Sequence, residues 1–230
     1  MNENFTGFTK SSLKFFSDLE IYNSKSWFDK NRLIFENEVL YPAKLFVNEM
    51  GERLQKIAPD IVADARTDKS IFRIHRDIRF SNDKTPYKTH LGIWFWEGKK
   101  KKLENPGFYL QFDKNSLFLG VGMYRFNKES LEIYRDAVVD PVKGKKLSNA
   151  VGNVILKNPQ YVLGWKHYKQ IPRGYDKNHP NSEFLLYGGI GFQYSTEIPE
   201  QFFSSELINY TFRIFENMLP IHNWLKFIHI

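Results

Sequence analysis

The chain has 230 residues and no cysteine, with 17% aromatic residues and a formal net charge of +7. That length permits a sizeable buried core without staples, and the missing thiols exclude disulfides, thiolate metal sites and a cysteine nucleophile. The charge is unevenly placed: residues 66–102 hold eleven Lys/Arg against four Asp/Glu, which accounts for the whole excess and points to an anionic partner.

Met1 to Lys10 lacks the basic-then-apolar order of a signal peptide, and no apolar run approaches the ~18 residues of a membrane span. A cytoplasmic protein without membrane contact is expected. Thr9 is a candidate N-cap for a first helix carrying Leu13, Phe16 and Leu19, with Tyr22-Asn23 as its exit. A second helix starts near Ser24 or Ser26 and carries Trp27, Leu33, Ile34 and Phe35 toward Val39. Pro42 then marks either a kink or the first turn of a new helix ending near Ala58.

From Ile71 the period changes to two, with Phe72, Ile74, Ile78 and Phe80 on one face and Arg73, His75, Asp77 and Arg79 on the other. A strand is predicted there. Leu91–Trp96, Gly107–Phe112 and Leu117–Tyr124 follow as further strands. The run Lys99–Lys102 reads as a solvated turn between the first two. Asn127 caps a helix with Leu131, Tyr134 and Val138, and another helix spans about Lys145–Lys157 before Asn158-Pro159. Trp165–Ile171 and Ile190–Tyr194 read as strands. A last helix carries Phe202, Phe203, Leu207, Tyr210 and Ile214 up to Leu219-Pro220. This order predicts one α+β domain over 1–230, an antiparallel meander with N-terminal and C-terminal helices packed on it.

The segment Arg73–Lys88 gathers three Arg, two Lys, two Asp, one His and one Tyr in sixteen residues. Alternate residues of a strand lie about 6.5 to 7 Å apart, close enough for long side chains to converge on one ligand. Arg73, Arg76, Asp77, Arg79, Lys84 and Lys88 are therefore candidate ligand-binding residues, since guanidinium offers paired donors to phosphate or carboxylate. His75 and Tyr87 are candidate proton carriers. Strict alternation puts Arg76 among the apolar residues, so either a bulge turns it outward or a carboxylate accompanies it inside. The competing reading is an ion-pair lattice in which Asp77 and Asp83 neutralise the arginines.

The pairs Gly7-Phe8 and Trp27-Phe28, the runs Arg76–Ser81 and Asp83–Thr89, Gly107-Phe108-Tyr109, and Pro172-Arg173-Gly174-Tyr175 with His179-Pro180 resemble the bacterial domain-of-unknown-function family 2461 over nearly the whole chain. The resemblance implies a fold and no mechanism.

A second polar cluster, Lys166, His167, Lys169, Arg173, Tyr175 and His179, lines the same groove if its strand joins the sheet beside the first. Arg173 and His179 are its candidate ligand residues. Gly188-Gly189-Ile190-Gly191 is not a dinucleotide fingerprint, and no P-loop, GxSxG or HExxH occurs. The histidines at 75, 90, 167, 179, 222 and 229 include no i,i+4 pair, so neither metal nor cofactor is expected. His222 and His229 read as structural. Three functions stay open: a domain, enzymatic or not, binding a small anionic ligand; a nucleic-acid-binding domain using Trp94, Trp96 or Tyr109 for stacking; and a module for structure or protein interaction.

Overall fold

A computed structural model describes residues 3–228, and His229 lies outside them. The N-terminal third is helical for the reasons its caps supply. In α1 (Lys10–Ile21) the Thr9 hydroxyl accepts from the Ser12 N–H at 3.2 Å, and in α2 (Lys25–Ile34) the Ser24 hydroxyl accepts from the Trp27 N–H at 3.3 Å. No break separates α2 from α3 (Tyr41–Leu54), because a π-helical turn, Phe35–Leu40, joins them. Pro42 has no N–H to give and its ring crowds the carbonyl four residues back. A widened turn, in which the Tyr41 N–H bonds to the Glu36 carbonyl five residues earlier, opens the register at that point.

Six strands follow in an antiparallel sheet of order β1-β2-β3-β4-β6-β5, formed by β1 (Ile61–Val62), β2 (Leu91–Glu97), β3 (Gly107–Phe112), β4 (Ser116–Met123), β5 (Val162–Lys166) and β6 (Tyr187–Glu197). Between them lie α4 (Lys128–Val139) and α5 (Pro141–Lys157), capped by the Asn127 and Asp140 side chains, and α6 (Glu206–Phe227) closes the chain. The architecture is α+β. Lys99–Lys102 occupies the turn between β2 and β3, where the Asn105 side chain bonds the Lys100 and Lys101 carbonyls.

The chain divides into two compact units. The first comprises 1–95, 109–118 and 195–213, and the second 96–108, 119–194 and 214–230. In the first, Phe112 of β3 meets Phe8 at 4.6 Å, Phe202 at 4.9 Å and Phe16 of α1 at 5.6 Å between ring centroids. In the second, Phe108 of β3 packs against Phe215 and His222 of α6, at 5.4 and 4.6 Å. Alternation in β3 explains both contacts: Phe108, Leu110 and Phe112 are fully buried under helices, while Tyr109 and Gln111 point to the other face.

Three expected elements differ. The predicted strand 71–80 is not a strand, as described below. The strand expected over Trp165–Ile171 is β5, which ends at Lys166 because the His167 and Tyr168 N–H groups both turn to the Leu186 carbonyl. The last helix starts only at Glu206, leaving Phe202 and Phe203 on a separate 3-10 turn, and runs past Pro220, since Ile221, Trp224 and Leu225 continue its buried face and their burial outweighs the one hydrogen bond that proline removes.

Candidate functional site

Residues 70–90 form an irregular arm whose start pairs with β2, rather than a regular strand. Near its base Ile71 lies opposite Ile93, with Phe72 N–H to the Gly92 carbonyl at 3.0 Å and Trp94 N–H to the Ser70 carbonyl at 2.8 Å. Further out His75 lies opposite Tyr87, with Lys88 N–H to the Ile74 carbonyl and Arg76 N–H to the Pro86 carbonyl. Three residues separate Ile71 from His75, but five separate Tyr87 from Ile93. The two extra residues on the return limb shift the register and break the period-two pattern. Ile74 stays buried, Ile78 is half-buried, and Phe80 at the tip is 94% exposed.

One aromatic stack anchors the arm. Tyr87 is buried face to face on Phe28 of α2, with centroids 4.4 Å apart, and Asn23 brackets its backbone by donating to the Tyr87 carbonyl at 2.9 Å and accepting from its N–H at 3.0 Å. Burial pushes the Tyr87 phenol above its ordinary pKa. His75 is exposed, its ring 5.0 Å from that of Tyr87.

Beyond the anchor the charged residues pair within the arm. Arg79 clasps Asp77 through two hydrogen bonds, at 2.9 and 2.7 Å, and Arg76 bonds to Asp83 and to the Thr85 hydroxyl. Arg76 is thus turned outward and accompanied by a carboxylate. Asp77 and Asp83 are both held at about 2. For Asp77 the Arg79 guanidinium is the main cause, and for Asp83 it is the Thr85 N–H, then Arg76. The Lys84 ammonium bonds to the Ile78 carbonyl at 2.9 Å. Four of the residues expected to bind a ligand, Arg76, Asp77, Arg79 and Lys84, therefore build the arm's own tip.

The base of the arm is different. Arg73 is exposed, and the Lys88 ammonium donates to the Arg73 backbone carbonyl at 2.9 Å and sits 5.5 Å from the centre of the Phe72 ring. No carboxylate among the described residues forms an ion pair with either cation. Burial lowers the Lys88 pKa, the neighbouring Arg73 charge lowers it further, and Asp68 opposes both. His90 is held below its usual range by burial and then by Lys88.

Arg173 and His179 lie in the second unit, on the loop after β5. That strand pairs with β6, while the arm pairs with β2. Arg173 is exposed, and His179 Nδ1 accepts from the Asn181 N–H at 3.1 Å, shaping its own loop. The nearby Tyr175 hydroxyl donates to Asp136 at 2.8 Å. The glycines 188 and 191 have a packing reason: a Cβ would lie 3.0 Å from the His167 ring at Gly188, and 2.8 Å from the Trp165 ring at Gly191.

Glu97 and its partner Lys226 escaped sequence reasoning. Glu97 of β2 is buried, accepting from His222 Nε2 at 2.7 Å and from Lys226 at 2.5 Å. The signal was a carboxylate in the inward register of an otherwise apolar strand. His222 is structural, as expected.

Among the described residues no three His, Asp or Glu side chains gather as a metal site, and no helix is long and apolar enough to cross a membrane. The family described as conserved hypothetical protein (DUF2461) matches residues 11–224, and no curated protein matches the chain.

Proposed function

Since the chain belongs to the DUF2461 family of conserved hypothetical proteins, whose description carries no chemistry, we propose from its own residues that it binds a small anionic ligand, phosphate- or carboxylate-bearing, at the base of the arm. The carrying observation is the Arg73 and Lys88 pair: two neighbouring cations, one partly desolvated, with no carboxylate among the described residues ion-paired to either. Two like charges near one another raise each other's free energy; Asp68 near Lys88 and Asp77 near Arg73 offset part of it without forming an ion pair with either, and a bound anion relieves the rest. Arg73 supplies the paired donors of a guanidinium, and Lys88 supplies a point charge whose position its carbonyl bond fixes. Arg76, Arg79 and Lys84 support this site by stiffening the arm.

The reading is one of binding, with turnover left open: of the two candidate proton carriers, His75 is exposed and Tyr87 is buried, their rings 5.0 Å apart. Nucleic acid is the second reading: of the three aromatics expected to stack, Trp94 is buried, while Trp96 and Tyr109 are half-buried.

A thermal-shift titration with phosphate, sulfate and citrate tests the proposal on wild type, Arg73→Ala and Arg79→Ala. Saturable stabilisation that is lost in Arg73→Ala and kept in Arg79→Ala is expected. Equal shifts in wild type and Arg73→Ala, or none with any anion, refute the site.

A further inference from the structure

We infer that the ligand of this site is a phosphomonoester carrying a planar ring, of which a mononucleotide is the simplest, with its phosphate between Arg73 and Lys88 and its ring laid along Phe72, Tyr109 and Phe118. This rests on the anion site proposed above. Its own observation is what borders that site.

The Lys88 ammonium stands 5.5 Å from the Phe72 ring, Phe72 is 6.1 Å from Tyr109, and Tyr109 is 6.0 Å from Phe118, centroid to centroid. A line of rings therefore begins at the cation pair. All three rings are half-buried, whereas the residues alternating with them in β3 and β4, from Phe108 to Leu119, are fully buried beneath helices. The rings thus occupy the sheet face opposite the helical core, with part of each surface open to water. Gly92 makes the face low there, since a Cβ on it would stand 2.7 Å from the Tyr109 hydroxyl and 3.2 Å from the Phe72 ring.

Polar groups on this face suit a heteroaromatic ring. The Tyr109 hydroxyl donates to Gln111 Oε1 at 2.8 Å, and burial holds the phenol protonated by pushing its pKa up to about 12. With its oxygen engaged, Gln111 has its amide N–H groups left for a ring nitrogen or carbonyl. Aromatic faces stack on any base, while Gln111 adds a directional contact. Charge complementarity chooses among occupants of the face: an uncharged aromatic leaves Arg73 and Lys88 with no ion-pair partner among the described residues, and a phosphate without a ring leaves the open part of the three rings in water.

Calorimetric titration of the full chain with AMP, ribose 5-phosphate and inorganic phosphate tests the inference. AMP is expected to bind about tenfold or more tighter than ribose 5-phosphate. Phe118→Leu keeps apolar bulk and removes the ring, so it should bring AMP to the affinity of ribose 5-phosphate and leave phosphate binding unchanged. Gln111→Leu gives a second readout away from the stacked faces, with a selective loss of AMP affinity. Equal affinity of AMP and ribose 5-phosphate for wild type overturns the ring site while leaving the anion site standing, and so does an AMP advantage that survives both variants. Failure of all three ligands to bind overturns the anion site itself.

Discussion

Replacing Glu97 by alanine should destabilise the protein more than any surface substitution, and the size of the effect follows from what the carboxylate satisfies. Its side chain is 2% exposed and accepts from His222 Nε2 at 2.7 Å and from the Lys226 ammonium, which is itself 38% exposed. The imidazole is fully buried against Phe108, and burial outweighs the Glu97 carboxylate in setting its pKa below the usual 6.5, so at pH 7 the ring is neutral and donates through Nε2–H. His222 Nδ1 has no hydrogen-bond partner among the described residues. In Glu97→Ala the Lys226 ammonium can turn to water, but the buried Nε2–H loses its acceptor. The stranded donor costs about 1–3 kcal/mol, and with the lost charge-assisted contact and the hole left behind the total is about 3–5 kcal/mol. For a chain of this length that is a fall in Tm on the order of 10 °C. Glu97→Gln retains one carbonyl acceptor for the imidazole and should cost about half as much. Urea denaturation at pH 7 of both variants and of Lys226→Ala reads the differences. The reasoning is refuted if Glu97→Ala lies within about 1 kcal/mol of wild type, or if glutamine costs as much as alanine.

His90 and His222 both have folded pKa values lowered by burial. The unfolded chain takes up these protons first, so their contribution to stability is complete above about pH 6.5 and is lost as pH falls through the folded values. Urea midpoints measured from pH 7.5 to 5 should decline, and a flat or rising series contradicts the assignment. Arg76→Ala opens a pair at the arm tip where Asp83 is exposed, so global stability should change by less than about 1 kcal/mol while amide exchange at Thr85 and Arg76 quickens. Cooperative unfolding of that variant would make the arm a folding lattice instead. Gly122→Ala should cost about 3 kcal/mol or more, read as a lower urea midpoint: φ there is +139°, and a Cβ would lie 2.4 Å from both the Gly191 Cα and the Ile190 carbonyl oxygen.

Much of this was legible in the sequence. Thr9 and Asn127 announce their helices because a capping side chain acts on N–H groups three residues away, and Phe108, Leu110 and Phe112 announce the buried face of β3 because side-chain alternation is local geometry. The basic excess and its concentration in residues 66–102 were equally plain. The arm was not. A period-two pattern from Ile71 to Phe80 promised a strand, but pairing is decided by the partner limb: two additional residues between Tyr87 and Ile93 break the register, and Phe80 falls in the exposed tip. Composition alone could not sort the arginines either. Which guanidinium a carboxylate occupies depends on a few ångströms of tertiary placement, and here Asp77 and Asp83 occupy Arg79 and Arg76 while Arg73 is left beside Lys88. Local rules fixed the helices and the inner face of the sheet, because the groups they concern are neighbours in the chain. The cation pair and the line of rings beside it were decided by tertiary structure alone, because they join β3, β4 and both limbs of the arm.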